Sequence, residues 1–390
     1  MDIDQSGWRS MSHADGKTFL SKRTCRHVSL VITLLCINGF ATAEGGATGP
    51  NNGKQMTGVP RMKLVANKIT EFSDEGVVNG LDFSPDDKSL ASANGALNVN
   101  VWQWQDGSRI RSLIGPQGAN TILVNKPIKF SPNGRYLAAC HSLSQQSGAV
   151  TVWDTVTWKI AHDIVDAEGG GSCNAISFAS DDNALLRVLN RVSWRPGDTI
   201  IQYNTDNWSI NWGIRTIPFQ PSTVAVSPDG KFMAIGGQLS DDSPAKTIDE
   251  AFGRKSLPEI WIFERSNKKM TLRIVGMWAN HIDWSADGKD IAIIGSAVIG
   301  PDAVRIVNAE TGEIKAHGIF DLHGAVLRYT SNGKYFIEAG AKSVRIWDGA
   351  RINMLQEIRN DGPVGALAVS KNGHFFATGS GKTISIWQLD

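Results

Sequence analysis

Beyond about residue 61, short apolar runs alternate with turn-forming residues, and the alternation recurs in seven units. Each unit opens with an apolar anchor and a tight turn. The first reads Phe83-Ser84-Pro85-Asp86-Asp87, and the others are FSPNG from Phe130, FASDD from Phe178, VSPDG from Val226, WSADG from Trp284, YTSNG from Tyr329 and VSKNG from Val369. A run of apolar and small residues follows, such as Leu137-Ala138-Ala139 or Ile291-Ala292-Ile293. After a second turn comes an alternating segment that ends in an aromatic in every unit but the fifth, as in Val150-Thr151-Val152-Trp153 and Ile384-Ser385-Ile386-Trp387. Period-two alternation between Pro, Asp, Asn and Gly predicts short strands, because Pro presets φ while Gly and Asn tolerate positive φ. A more polar fourth strand is expected to follow, as over 109–114, 159–164 and 314–319.

The anchors are separated by 47, 48, 48, 58, 45 and 40 residues. Four short strands repeated at that period predict an all-β fold, a seven-bladed β-propeller of four-stranded antiparallel blades. The domain is expected over 61–390. The seventh unit has no fourth strand after Asp390, whereas a strand-like run, Met62 to Ile69, precedes the first unit. The economical expectation is that this N-terminal strand completes the last blade and removes the free edges of an open array.

With these residues in hand, the chain resembles the secreted WD-repeat propellers of bacteria. The likeness is carried by the turns at Ser84, Ser131, Ser227 and Ser285 and by Trp153-Asp154 and Trp347-Asp348. It departs from the family pattern in lacking most Gly-His pairs, His323-Gly324 being a reversed echo, and in having Gln103 and Gln388 where Asp is common. The family's His-Ser-Asp-Trp hydrogen-bond network is therefore expected to be mostly missing. Propellers similar to amine-dehydrogenase or lactonase rings remain alternatives.

Residues 1–43 have the order of a secretory signal. Lys17, Lys22, Arg23 and Arg26 precede an apolar run from Val28 to Phe40, and Ala41-Thr42-Ala43 offers a small-x-small cleavage site. The run is shorter than the roughly 20 apolar residues of a membrane span, so no integral span is expected after cleavage. Met11 is an alternative start. Residues 44–60, rich in Gly, Asn and Thr, read as a flexible leader. The expected compartment is periplasmic or extracellular.

Lys and Arg total 39 against 38 Asp and Glu. That balance gives no electrostatic basis for a nucleic-acid partner, and a monomeric propeller is expected. Two cysteines lie beyond the signal, Cys140 on a second strand and Cys173 on the next inner strand. Stacked sheets lie about 10 Å apart, beyond disulfide reach, so two buried thiols are expected unless the blades converge enough near the axis for a bridge.

No nucleophile elbow, phosphate-cradling Gly loop or zinc-type His spacing occurs. No catalytic residue, metal ligand or cofactor is therefore assigned. His141, His281 and His323 are within reach of a central channel, although strand-end histidines more commonly serve loop hydrogen bonds. Connection length is more informative. Second-to-third-strand connections are short in units one, six and seven but extended over 141–148, 191–198, 238–258 and 296–302, all expected on one face. They carry Arg191, Trp194, Arg195, Asp241, Asp242, Glu250, Phe252 and Arg254, including types enriched at interaction hot spots. The expected function is a non-catalytic extracytoplasmic scaffold binding a protein or peptide there. The alternatives are a tolerant surface, a lactonase-like hydrolase with a central-channel site, or a glycan or cell-wall binder.

Overall fold

The Ser in each turn explains why the anchor strand reverses where it does. Ser84 Oγ accepts the N–H of Ser89 (2.9 Å) and donates to Asp86 Oδ1 (2.6 Å). The same bridge is built by Ser131 with Tyr136 and Asn133, and by Ser227 with Phe232 and Asp229. It recurs at Ser285, Thr330 and Ser370. One hydroxyl thus ties both ends of the turn, and Ser-x-Asp/Asn is its sequence signature. The third unit has Ala179 there and keeps only the backbone bonds, Ala179 N to Ala184 O (2.8 Å) and Asp182 N to Ala179 O (3.0 Å).

The computed structural model describes residues 65–95, 98–114, 127–144, 147–165, 172–190, 198–216, 219–239, 258–297, 304–318, 326–341, 343–349 and 353–390. They form seven four-stranded antiparallel sheets arranged as propeller blades. The inner strands of blades 1 to 7 are Val78–Phe83, Ile128–Phe130, Ser172–Phe178, Phe219–Val226, Met277–Trp284, Val326–Tyr329 and Val364–Val369. The first six blades run inner to outer in chain order.

Blade 7 closes the ring as expected. Its outer strand is Ala66–Ser73, a few residues later than the sequence suggests, paired antiparallel with Thr383–Leu389. Blade 6 holds that strand through Gln356, whose Oε1 accepts the N–H groups of Val65 (2.7 Å) and Ala66 (2.8 Å). Its Nε2 donates to Ala66 O (3.1 Å).

Apolar residues collect in seven clusters, one in each gap between neighbouring blades. Phe83, Leu90 and Trp102 of blade 1 meet Ala366, Ala377 and Ile386 of blade 7, for example, and Ala292, Ile294 and Val304 of blade 5 meet Leu327, Tyr329 and Phe336 of blade 6. The middle strands are covered on both faces, so Ile291, Ala292 and Ile293 are fully buried. Trp158 and Trp208, after the third strands, act as lids. Trp208 of blade 3 packs on Tyr136 (5.1 Å) and His162 (5.7 Å) of blade 2, and Trp158 of blade 2 lies under Arg111 of blade 1 (5.9 Å).

Two sequence expectations change. Blade 2 has strand where an extended connection was expected: its second strand runs Tyr136–Ser144 and its third begins at Ser147. Cys140 and Cys173 are bonded, with Sγ atoms 2.00 Å and Cα atoms 5.7 Å apart. The 10 Å spacing of flat sheets does not apply to this pair, because the start of each inner strand runs close to the second strand of the preceding blade: at the same register a Cβ on Gly236 would stand 2.4 Å from Ala279 Cβ, and one on Gly379 2.6 Å from Val78 Cγ1. Of the Trp-centred network, expected to be mostly missing, a part is present in two blades. In blade 1 Trp102 Nε1 donates to Ser92 Oγ (2.8 Å), which donates to Asp74 Oδ2 (2.5 Å). Asp74 takes the network position expected of His and also accepts from Asn94 (2.6 Å) and Asn100 (2.8 Å). In blade 7 Trp387 donates to Thr378 Oγ1 (3.1 Å).

Candidate functional site

All seven inner strands border one axial cavity of about 700 Å³. What faces it follows from strand alternation with one repeated irregularity. Blades 1, 3, 4, 5 and 7 each shift register by one residue near the start of the inner strand, at Asn79, Asn174, Ser222, Asn280 and Gly365. A bulge inserts one unpaired residue and re-aims its side chain. Four of these residues are small and polar, and they ring the end of the channel where the second-to-third-strand connections emerge, since Val78 pairs with Asn94 there. Asn174 Nδ2 donates to Pro221 O of the next blade (3.2 Å), and Ser222 Oγ to Ala279 O (3.0 Å). The bulges need close backbone approach. A Cβ on Gly237 would stand 2.2 Å from Gln220 O, and one on Gly295 1.7 Å from Trp278 O.

Trp278 stands at this mouth. It is 40% exposed in a strand whose neighbours Met277 and Ala279 are buried, and it lines the cavity.

Towards the opposite end, the residues before the anchors are Asp82, Lys129, Ser177, Ala225, Asp283, Arg328 and Ala368, so acids and bases fall on adjacent inner strands. Lys129, Ser177, Asp283 and Arg328 line the cavity, whereas Ala225 and Ala368 pack into the gaps towards the next blades. Lys129 Nζ pairs with Asp82 Oδ1 (2.9 Å), and Asp82 Oδ2 accepts the Phe130 N–H (2.8 Å). Asp283 Oδ2 accepts the Tyr329 N–H (2.8 Å). Arg328 Nη1 contacts both ring nitrogens of His281 and donates to Leu327 O (3.1 Å). Burial, with Arg328 and Lys129 adding to it, pushes the His281 imidazole well below its usual value, so it is neutral at pH 7. Burial raises the Asp283 carboxyl, against the pull of Arg328, the Tyr329 N–H and Lys129.

Of the histidines expected near the channel, His281 lines it, His141 faces Thr151 Oγ1 (3.4 Å) within its own blade, and His323 lies outside the described residues. Arg191, Trp194, Arg195, Asp241, Asp242, Glu250, Phe252 and Arg254 all lie outside the described residues. Sequence reasoning missed Trp278 and the lumen charges. No alternation marks the charges, because the residue before the anchor is a lumen-lining charge in some blades and an alanine packed between blades in others. Among the described residues no group of His, Cys, Asp and Glu has the arrangement of a metal site. No described helix is long and apolar enough to cross a membrane.

The WD domain, G-beta repeat family model matches residues 353–388. That stretch takes in the outer strand of blade 6 and the inner, second and third strands of blade 7, so the sequence repeat straddles two blades. Transducin beta-like protein 3 from Bos taurus is 32% identical over 116 residues, which is 30% of this chain and 13% of the bovine protein. The chain thus carries a WD40 repeat within a seven-bladed ring.

Proposed function

We propose that this protein is a non-catalytic extracytoplasmic scaffold, binding a protein or peptide on the face where the second-to-third-strand connections of blades 2–5 emerge. The observation that carries this reading is Trp278, a large aromatic left 40% exposed at the mouth of the channel on that face. Tryptophan there supplies the rigid apolar contact typical of interaction hot spots, and the polar bulge residues around it supply a hydrogen-bonding rim. WD40 propellers commonly serve as interaction scaffolds, which agrees with this use of the ring. Trp194, Arg191 and Arg195, with the acidic and basic residues of 241–254, are the residues the sequence offers for such binding. The compartment is supported by the signal-like order of residues 1–43 and by the bonded Cys140–Cys173 pair, because disulfides persist in oxidising surroundings.

The test is differential capture of partners from an extracytoplasmic extract. The parent is compared with Trp278→Ala and with a variant in which 240–257 is replaced by a short Gly-Ser link, all matched for thermal stability. A partner kept by the parent and lost by both variants supports the reading. Equal capture by all three removes this face as the binding surface.

A further inference from the structure

Two pairs of adjacent inner strands carry the same acid–base device in different states. Between blades 1 and 2, Asp82 accepts the Phe130 N–H with one oxygen and closes on Lys129 with the other. Between blades 5 and 6 the equivalent residues are Asp283, Tyr329 and Arg328. The backbone half is reproduced at the same distance, 2.8 Å. The ionic half is not. Arg328 is turned to His281 and to Leu327 O, and Asp283, whose Oδ2 accepts the Tyr329 N–H, has no side-chain partner and no ion pair among the described residues.

His281 accounts for the difference. It lies two residues before Asp283, facing the lumen, where blade 1 has Gly80 and so no side chain to divert the cation. The neutral ring occupies Nη1 of Arg328. The Nε and Nη2 edge has no partner among the described residues, and it is the edge that suits a carboxylate. A desolvated acid and base left unmatched side by side are costly unless something meets both.

We propose that Arg328 and Asp283 form a recognition site for a small zwitterion of amino-acid type, its carboxylate on Arg328 and its ammonium on Asp283. Selectivity follows from the charges already in the wall. A simple carboxylate would be opposed by Asp283, and a simple amine by Arg328. The cavity of about 700 Å³ is in the size range of small-molecule sites. This site lies inside the lumen, away from Trp278, so its test is independent of partner capture.

Titration calorimetry on the full chain would use glycine, β-alanine and γ-aminobutyrate, which step the separation of the two charges, with acetate and methylammonium as single-charge controls. At least one amino acid should bind about tenfold or more tightly than either control, and Arg328→Gln and Asp283→Asn should each weaken it by about tenfold or more. Asp283→Asn keeps an oxygen for the Tyr329 N–H, so it decides the matter if Arg328→Gln does not fold. The proposal is overturned if none of the three amino acids binds with a Kd below about 10 mM. Acetate binding as tightly as the best of them, or an unchanged Kd in folded Asp283→Asn, overturns it equally.

Discussion

At the residue scale, the most telling departures from the repeat are two aspartates. The last turn position is Gly in blades 2, 4, 5, 6 and 7 but Asp87 in blade 1 and Asp182 in blade 3, with φ of 56° and 59°. A side chain in the left-handed region is strained, yet each carboxylate reaches the turn of the preceding blade. Asp87 accepts the N–H groups of Lys371 (2.5 Å) and Asn372 (2.8 Å), and Asp182 that of Asn133 (2.9 Å). Hydrogen bonds to a carboxylate contribute about 1.5–3 kcal/mol where shielded, against roughly 1–2 kcal/mol of backbone strain. Asp87→Gly should therefore lower stability by about 1 kcal/mol, and Asp87→Ala, which keeps the strain and loses the clasp, by more. Chemical denaturation of the two variants checks this order, and a stabilised Asp87→Gly would mean that strain outweighs the clasp. A second residue-scale prediction concerns Glu259, whose carboxylate is buried and is held by Arg273 and Trp261 Nε1 (2.7 Å). Burial raises its pKa, but the bonds from Arg273 and Trp261 prevail and the net shift is downward. A depressed carboxyl contributes stability above its unfolded value and loses it as pH falls through the folded value. The stability difference between the parent and Glu259→Gln should be full at pH 7, shrink below about pH 4.3 and vanish under strong acid, read by unfolding across that range.

At the element scale, the seam is where the ring depends on a strand distant in sequence. The strand Ala66–Ser73 is held edge-on by Thr383–Leu389 and capped by Gln356 through three hydrogen bonds. Gln356→Ala leaves two N–H donors and a carbonyl short of partners, at a cost of about 2–3 kcal/mol. The loss should fall first on amide protection of 66–73 in hydrogen exchange, with inner strands of distant blades unaffected. Uniform loss of protection over the domain would show instead that the seam and the blades open together. The closing strand was legible in the sequence because unit seven ran out of strands and Met62–Ile69 had no unit of its own. The turns were legible because one hydroxyl and one Asp or Asn do the same task six times. The lumen was not, because its charges occupy a position that also accepts Ser177, Ala225 and Ala368, and no pattern marks it until the strands share an axis. The bulges that place Asn79, Asn174, Ser222 and Asn280 were hidden for another reason. A one-residue shift preserves the apolar pattern on either side of it.

At the scale of the whole molecule, each blade is held by two interfaces, and Cys140–Cys173 adds a covalent link across one of them, between blades 2 and 3. The bond was not legible because sequence gives sheet spacing only as an average, whereas near the axis a second strand comes within reach of the next blade's inner strand, as it also does at Gly236 with Ala279 and at Gly379 with Val78. A cross-link over a sequence separation of 33 residues restrains the unfolded chain by about 3–4 kcal/mol in the loop-entropy treatment. Part of any loss on replacement comes instead from repacking the cluster that holds both sulfurs, with Ile176, Phe178, Leu185 and Val150. Two measurements separate these contributions. Reduction of the parent removes the cross-link and keeps the sulfur volume, whereas Cys140→Ala with Cys173→Ala removes both. Reduction should lower unfolding stability by about 2–4 kcal/mol, with the double variant lower still by about 1 kcal/mol or more. The transition should stay single in both, because blades 2 and 3 still share their apolar interface and the ring remains closed at the seam. Splitting into two transitions on reduction would mean that the disulfide couples two cooperative halves, making the ring's cooperativity depend on the redox state of its surroundings.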